Sequence, residues 1–158
     1  MSLACSWSVC HNLAAFRRLS GYERRLLLGA LALMPLAQAA VKILPLPRLI
    51  DLFKLQTVAP DYEPASPPES LAAVASARKV FRVIERKFSF WPGKCFAQAL
   101  AARLFLRRQG VSCLLVLGAK RFQDERRQSL QAHAWLKAGG QTITGGGGQD
   151  YIPVAFFI

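Results

Sequence analysis

The sequence predicts an α+β fold, with helices gathered ahead of an antiparallel sheet. Apolar residues recur at helical spacing over residues 24–42, 71–88 and 95–105. Beyond Gly110 the pattern changes to strand-length apolar runs over 111–117 and 131–137, set apart by charged or glycine-rich turns. The 158 residues suit one ordinary domain with a helical appendage, long enough to bury roughly two-thirds of the unfolded chain's surface without a disulfide or metal. The expected division is a helical segment over 1–56, a linker over 57–68 and a core over 69–158.

Hydrophobic residues are 53% and charged residues 19%, apolar for a soluble protein but not membrane-like throughout. The formal charge of +12 calls for an acidic partner, whether peptide, protein surface, nucleic acid or anionic lipid, and composition does not choose among them. Cys5, Cys10, Cys95 and Cys113 form no CxxC, and neither histidine stands at zinc spacing from them, so no metal site is expected. Cysteine usage fits a reducing cytosol.

Residues 1–19, with Cys5, Cys10 and His11, read as a lead-in. Ser20 and Glu23 have capping-box spacing, Ser20 as the N-cap and Glu23 reaching back to it. The helix that follows, to about Lys42, is apolar almost all round. A packed helical hairpin is the favoured reading; a membrane-associated helix, a true span and a late signal peptide are the others. Lys42, Pro35, Pro45 and Pro47 weigh against the last two. A short amphipathic helix resumes over 48–55, and the Pro-rich stretch to Pro68 marks the linker. Ser66, Pro67 and Glu69 repeat a helix-start signature. The helix they open buries Leu71, Val74, Ala77, Val80, Phe81, Ile84 and Phe88, with Arg78, Lys79, Arg82, Arg86 and Lys87 outside.

After the turn at 90–93, Cys95 opens a helix that ends in Arg107-Arg108-Gln109, with Gly110 as its stop. The positive end of the dipole and the adjacent Lys94 both favour a thiolate at Cys95. Cys113 lies in an apolar strand, where an inert buried thiol is expected. Residues 120–127 read as a charged hairpin or loop. Along the next strand His133, Trp135 and Lys137 share one face, and Ala134 and Leu136 the other. Gly139-Gly140 turns into a short strand at 141–143. Gly145 to Gly148 is a flexible run without the GK[ST] of a phosphate-binding loop, and residues 151–158 close the sheet. No cofactor is implied.

A thiol at a helix start and an imidazole on a later strand form the pair that nucleophilic catalysis by cysteine needs. Cys95 with Leu100 and Leu104, the run Arg107-Arg108-Gln109-Gly110-Val111, the strand Leu115-Val116-Leu117-Gly118 and His133-Ala134-Trp135-Leu136 resemble the leader peptidases of lasso peptide biosynthesis. These are cysteine proteases of the transglutaminase-like, papain-like superfamily. The run Leu19-Ser20-Gly21-Tyr22-Glu23-Arg24-Arg25-Leu26-Leu27-Leu28 is similar too, so the resemblance covers about residues 19–158. It implies a core in which the cysteine helix packs on an antiparallel sheet, and removal of the leader from a ribosomally made precursor. The implied partners are the precursor leader, a separate leader-recognition protein and an ATP-dependent lasso cyclase, with no nucleic acid. This chain is expected to be the stand-alone protease half, cytoplasmic, with peripheral membrane contact left open by its apolar helix.

Carried over, Cys95 is the nucleophile and His133 the general base. The family's acid falls around residues 143–145, where this chain has no carboxylate. Asp150 is the carboxylate after His133 and could reach in across the glycine run; Gln141 or Thr144 are the other orienting candidates. Trp91, Trp135 and the Cys95 N–H are candidates for binding the oxyanion or substrate. Two further functions stay open: acyl transfer by the same fold, and a non-catalytic basic membrane adaptor using Arg17, Arg18, Arg24 and Arg25.

Overall fold

A computed structural model of the chain describes residues 19–65, 67–87, 94–124, 127–146 and 148–158. Helices α1 (Gly21–Ile43), α2 (Leu46–Phe53), α3 (Leu71–Lys87) and α4 (Lys94–Arg107) precede strands β1 (Leu114–Asp124), β2 (Arg127–Ala138), β3 (Gln141–Thr144) and β4 (Ile152–Phe157). The class is α+β, as the hydrophobic periods predict. Ser66, Trp91 and the N-terminal cysteines, on which expectations were placed, lie outside the described residues.

The capping box at the start of α1 forms: the Glu23 N–H donates to Ser20 Oγ at 3.2 Å, and the Ser20 N–H donates to Glu23 Oε2 at 2.8 Å. Lys79 of α3 also donates to Glu23 Oε2, at 2.9 Å. That ammonium holds the Glu23 carboxyl below the ordinary range and fastens α1 to α3. Helix α1 runs through Pro35 and turns Leu26, Leu27, Ala30 and Met34 into the core, while Leu28, Leu36 and Ile43 face out. Length and composition alone would let it cross a membrane. Here one stripe of it is packed against the rest of the protein.

The sheet is antiparallel in the order β3-β2-β1-β4. Its helix-facing side places Leu115, Leu136 and Ile143 against Phe81, Ile84, Leu100 and Leu106, in the same core as the α1 residues. Its other side buries Leu114, Val116 and Trp135 beneath Val58, Tyr151 and Phe156. Of the two readings of residues 120–127, a charged hairpin or a loop, the hairpin is the one observed: pairing between β1 and β2 runs out to Asp124 opposite Arg127. Residues 56–58, inside and just before the expected linker, pair with the end of β4 through Gln56 N–H to Ile158 O at 3.0 Å and Val58 N–H to Phe156 O at 3.1 Å. This covers part of an otherwise open sheet edge.

Helix α4 ends as its sequence predicts. Val111 N–H reaches Leu106 O and Gly110 N–H reaches Arg107 O, both at 3.0 Å, with Gly110 at φ +70°. That is the hydrogen-bond pair of a Schellman stop. Buried Arg103 on α4 donates to the carbonyls of Phe53 and Lys54, at 2.9 and 3.2 Å, and so satisfies the end of α2.

Candidate active site

Helix α4 begins at Lys94, so Cys95 occupies its first turn, at the end where backbone N–H groups have no helical partner. The thiol is half-buried. Burial works to raise its pKa, but the hydrogen bond to His133, N–H donation from Ala134 and the charge of His133 outweigh it, helped by the Phe96 N–H. The net direction is down, toward the thiolate. The side chain of Lys94 lies outside the described residues, so its expected contribution is not part of this balance.

His133 stands on β2 opposite Gly118 of β1. A Cβ on Gly118 would come within 2.7 Å of the Trp135 ring and 3.0 Å of Tyr151, so the bare backbone there makes room for aromatic rings. The imidazole stacks on Tyr151 with centroids 4.7 Å apart, and lies 6.0 Å from the Trp135 ring. Its pKa is raised, first by the hydrogen bond with Cys95. Burial opposes this, and the Gly145 carbonyl and the charges of Cys95 and Glu85 add to it. Nε2 lies 3.2 Å from Gly145 O. A carbonyl only accepts, so Nε2 carries the hydrogen, and Nδ1 is left for the thiol. The expected pair is thus brought together, with the imidazole held at both nitrogens.

The other candidates fall elsewhere. Asp150 ends a short 3-10 turn (Gly148–Asp150), is exposed, and makes no hydrogen bond to His133. Gln141 sits at the far end of β3, where its Oε1 accepts from Arg78 at 3.0 Å. Thr144 is buried, with its hydroxyl unpartnered among the described residues. The position facing Nε2 belongs instead to a main-chain carbonyl. Trp135 is buried, its indole hemmed in by Gly118 and Gly148. With Lys137, Thr142, Gly146, Gln149 and Tyr151 it walls a cleft of about 440 Å³ on this side of the sheet. The glycine run expected to be flexible is therefore, at Gly145 and Gly148, closely packed around Trp135.

One residue escaped the sequence reading. Glu85 of α3 accepts a hydrogen bond from the Gly145 N–H at 2.7 Å. In sequence it is one charge among many on a basic helix, and nothing local marks it. The cationic side of that helix is real: Arg78, Lys79, Arg82 and Arg86 line a groove of about 370 Å³ with Gln141.

No group of three or more His, Cys, Asp or Glu able to hold a metal occurs among the described residues. The family model of the transglutaminase-like superfamily matches residues 40–155. No curated protein and no solved structure gives a significant match to the chain.

Proposed function

Because the chain belongs to the transglutaminase-like superfamily, generally cysteine-dependent enzymes, we propose that it is the cysteine peptidase that cuts the leader from a lasso peptide precursor. The observation that carries this is the hydrogen-bonded pair of Cys95, at a helix start, and His133, on the adjoining sheet. The sequence resemblance over residues 19–158 narrows the substrate.

In this reading the Cys95 sulfur attacks the scissile carbonyl, and the electron pair moves onto the carbonyl oxygen. The α4 N-terminus, with the Cys95 N–H, offers donors to that oxyanion. Collapse of the adduct breaks the C–N bond as His133 gives its proton to the departing amine, which becomes the new N-terminus of the core peptide. Water, deprotonated by His133, then attacks the thioester, freeing the leader carboxylate and restoring the thiol. No cofactor or metal takes part.

The partners in this reading are the precursor leader, a separate leader-recognition protein and the lasso cyclase, which consumes the freed core in the cytoplasm. The groove bearing Arg78, Arg82 and Arg86 suits an acidic stretch of leader or recognition protein. The exposed apolar strip of α1, with Leu28, Leu36 and Ile43, suits a partner or a membrane surface. Acyl transfer is the second reading, favoured by the superfamily and sharing every step up to the thioester.

The test mixes purified protein with precursor and recognition protein and analyses the products by mass spectrometry. Free leader with an unmodified carboxylate is expected, and none from Cys95→Ala. An amine joined to the leader carbonyl would favour acyl transfer, and undiminished cleavage by Cys95→Ala would overturn both readings.

A further inference from the structure

The imidazole of His133 is held from behind by a peptide carbonyl, so something must fix that carbonyl. Gly145 adopts φ +74°, the left-handed region. A Cβ there would stand 2.4 Å from Ala134 O and 2.7 Å from Trp135 Cβ. Position 145 is therefore closed to every side chain, an acidic one included. A carboxylate serving this site has to come from another element.

One does. The carboxylate of Glu85, from α3, takes the Gly145 N–H at 2.7 Å, and Gly145's own carbonyl lies 3.2 Å from His133 Nε2. The chain of contacts runs from α3 to the sulfur: carboxylate, glycine main chain, imidazole, thiol. We propose that Glu85 is the positioning residue of this site, its carboxylate locking Gly145 so that the glycine carbonyl orients His133, and its charge favouring the imidazolium. Glu85 touches neither the sulfur nor the imidazole by hydrogen bond. It acts through Gly145 and through space, doing from a helix what a strand-borne acid would do in a direct bond.

The groups around the imidazole are consistent with this. Cys95 faces it from α4, Tyr151 from the segment before β4, and Glu85 from α3; Asp150 beside Tyr151 points to solvent. The charge of Glu85 acts to raise the His133 pKa. Arg82 and Arg86 flank Glu85 on its own helix, both exposed. A charge partly shielded from water acts more strongly than these solvated neighbours.

The proposal rests on Cys95 and His133 being the reacting pair, but not on what they acylate. Its test therefore uses iodoacetamide, with the alkylation rate of Cys95 followed by peptide mass spectrometry from pH 5 to 9. Glu85→Gln keeps an oxygen to accept the Gly145 N–H but removes the charge; Glu85→Ala removes both. With folding checked by circular dichroism, Glu85→Gln should slow alkylation at pH 6 several-fold, and Glu85→Ala more. Asp150→Asn should match the wild type. Wild-type profiles in both Glu85 variants, with Cys95 still fast, would overturn the role of Glu85 while leaving the pair intact. An ordinary thiol profile in the wild type would instead remove the pair. If either variant melts, Glu85→Asp keeps the charge one methylene further back, and histidine NMR reads the site directly. At a pH where His133 is neutral, the preference for hydrogen on Nε2 that the Gly145 carbonyl imposes should weaken in Glu85→Asp; an unchanged tautomer would count against Glu85.

Discussion

Cys95 opens helix α4 and Cys113 sits in the link between α4 and β1, and the two differ in almost every property that matters to sulfur. Cys95 opens α4, half-exposed, with an imidazole and backbone N–H groups turned on it, and its pKa is lowered. Cys113 follows the helix stop, buried, its thiol 3.5 Å from the carbonyl of Val111, and burial pushes its pKa up to about 12. The nearby Arg103 guanidinium pulls the other way through its charge, and burial outweighs it. The contrast teaches that a thiol is made reactive by donors aimed at it more than by a cation in the neighbourhood.

The largest break between the two sites should come from deletion. On the proposed function, Cys95→Ala is expected to lower leader cleavage by about a thousandfold or more, to background, while Cys113→Ala retains turnover and loses about 1 kcal/mol of stability to the small cavity. Cleavage kinetics and thermal melts of both variants check this. Next comes selectivity: at pH 6, iodoacetamide should label Cys95 about a hundredfold faster than Cys113, and the gap should close in guanidinium chloride. Comparable rates in the folded protein would show that the environments do not differ as described.

A smaller effect tests the back of the site. Gly145→Ala forces a Cβ against Ala134 O at a left-handed φ, and should cost about 1–3 kcal/mol with a fall in Cys95 alkylation at pH 6. Wild-type stability and labelling would mean that the carbonyl is not held as observed. On the proposed function, reversing Arg82 and Arg86 to Glu should raise KM for a precursor with an acidic leader several-fold, since both line the cationic groove. At the far end of the molecule Ser20→Ala, removing the cap of α1, should lower stability by about 1 kcal/mol and leave Cys95 chemistry alone.

Much of this was legible in the chain. The Ser20/Glu23 cap, the Gly110 stop and the Gly139-Gly140 turn are local devices, and local devices can be read one residue type at a time. The pairing of Cys95 with His133 was legible because a helix start and a strand of the following sheet are forced together by packing. The orienting group was not. Chain order points to Asp150 as the carboxylate that follows His133, but the place behind Nε2 is filled by Gly145's carbonyl, which no side-chain pattern records. Glu85 precedes Cys95 in sequence and comes from another helix, so only the docking of α3 on β3 brings it to the site.

The central claim is that His133 makes Cys95 a thiolate under mild conditions. The most direct measurement is the rate of Cys95 alkylation against pH in the wild type and in His133→Ala. Iodoacetamide reads the thiolate, so the rate climbs as pH rises through the thiol pKa. The wild-type midpoint should lie below that of a free cysteine, and hydrolysis, which also needs the imidazolium, should fall again as pH passes the raised His133 pKa. In His133→Ala burial is left with its chief opponent removed, so the midpoint should move upward. Superimposable curves for the two proteins would contradict the account.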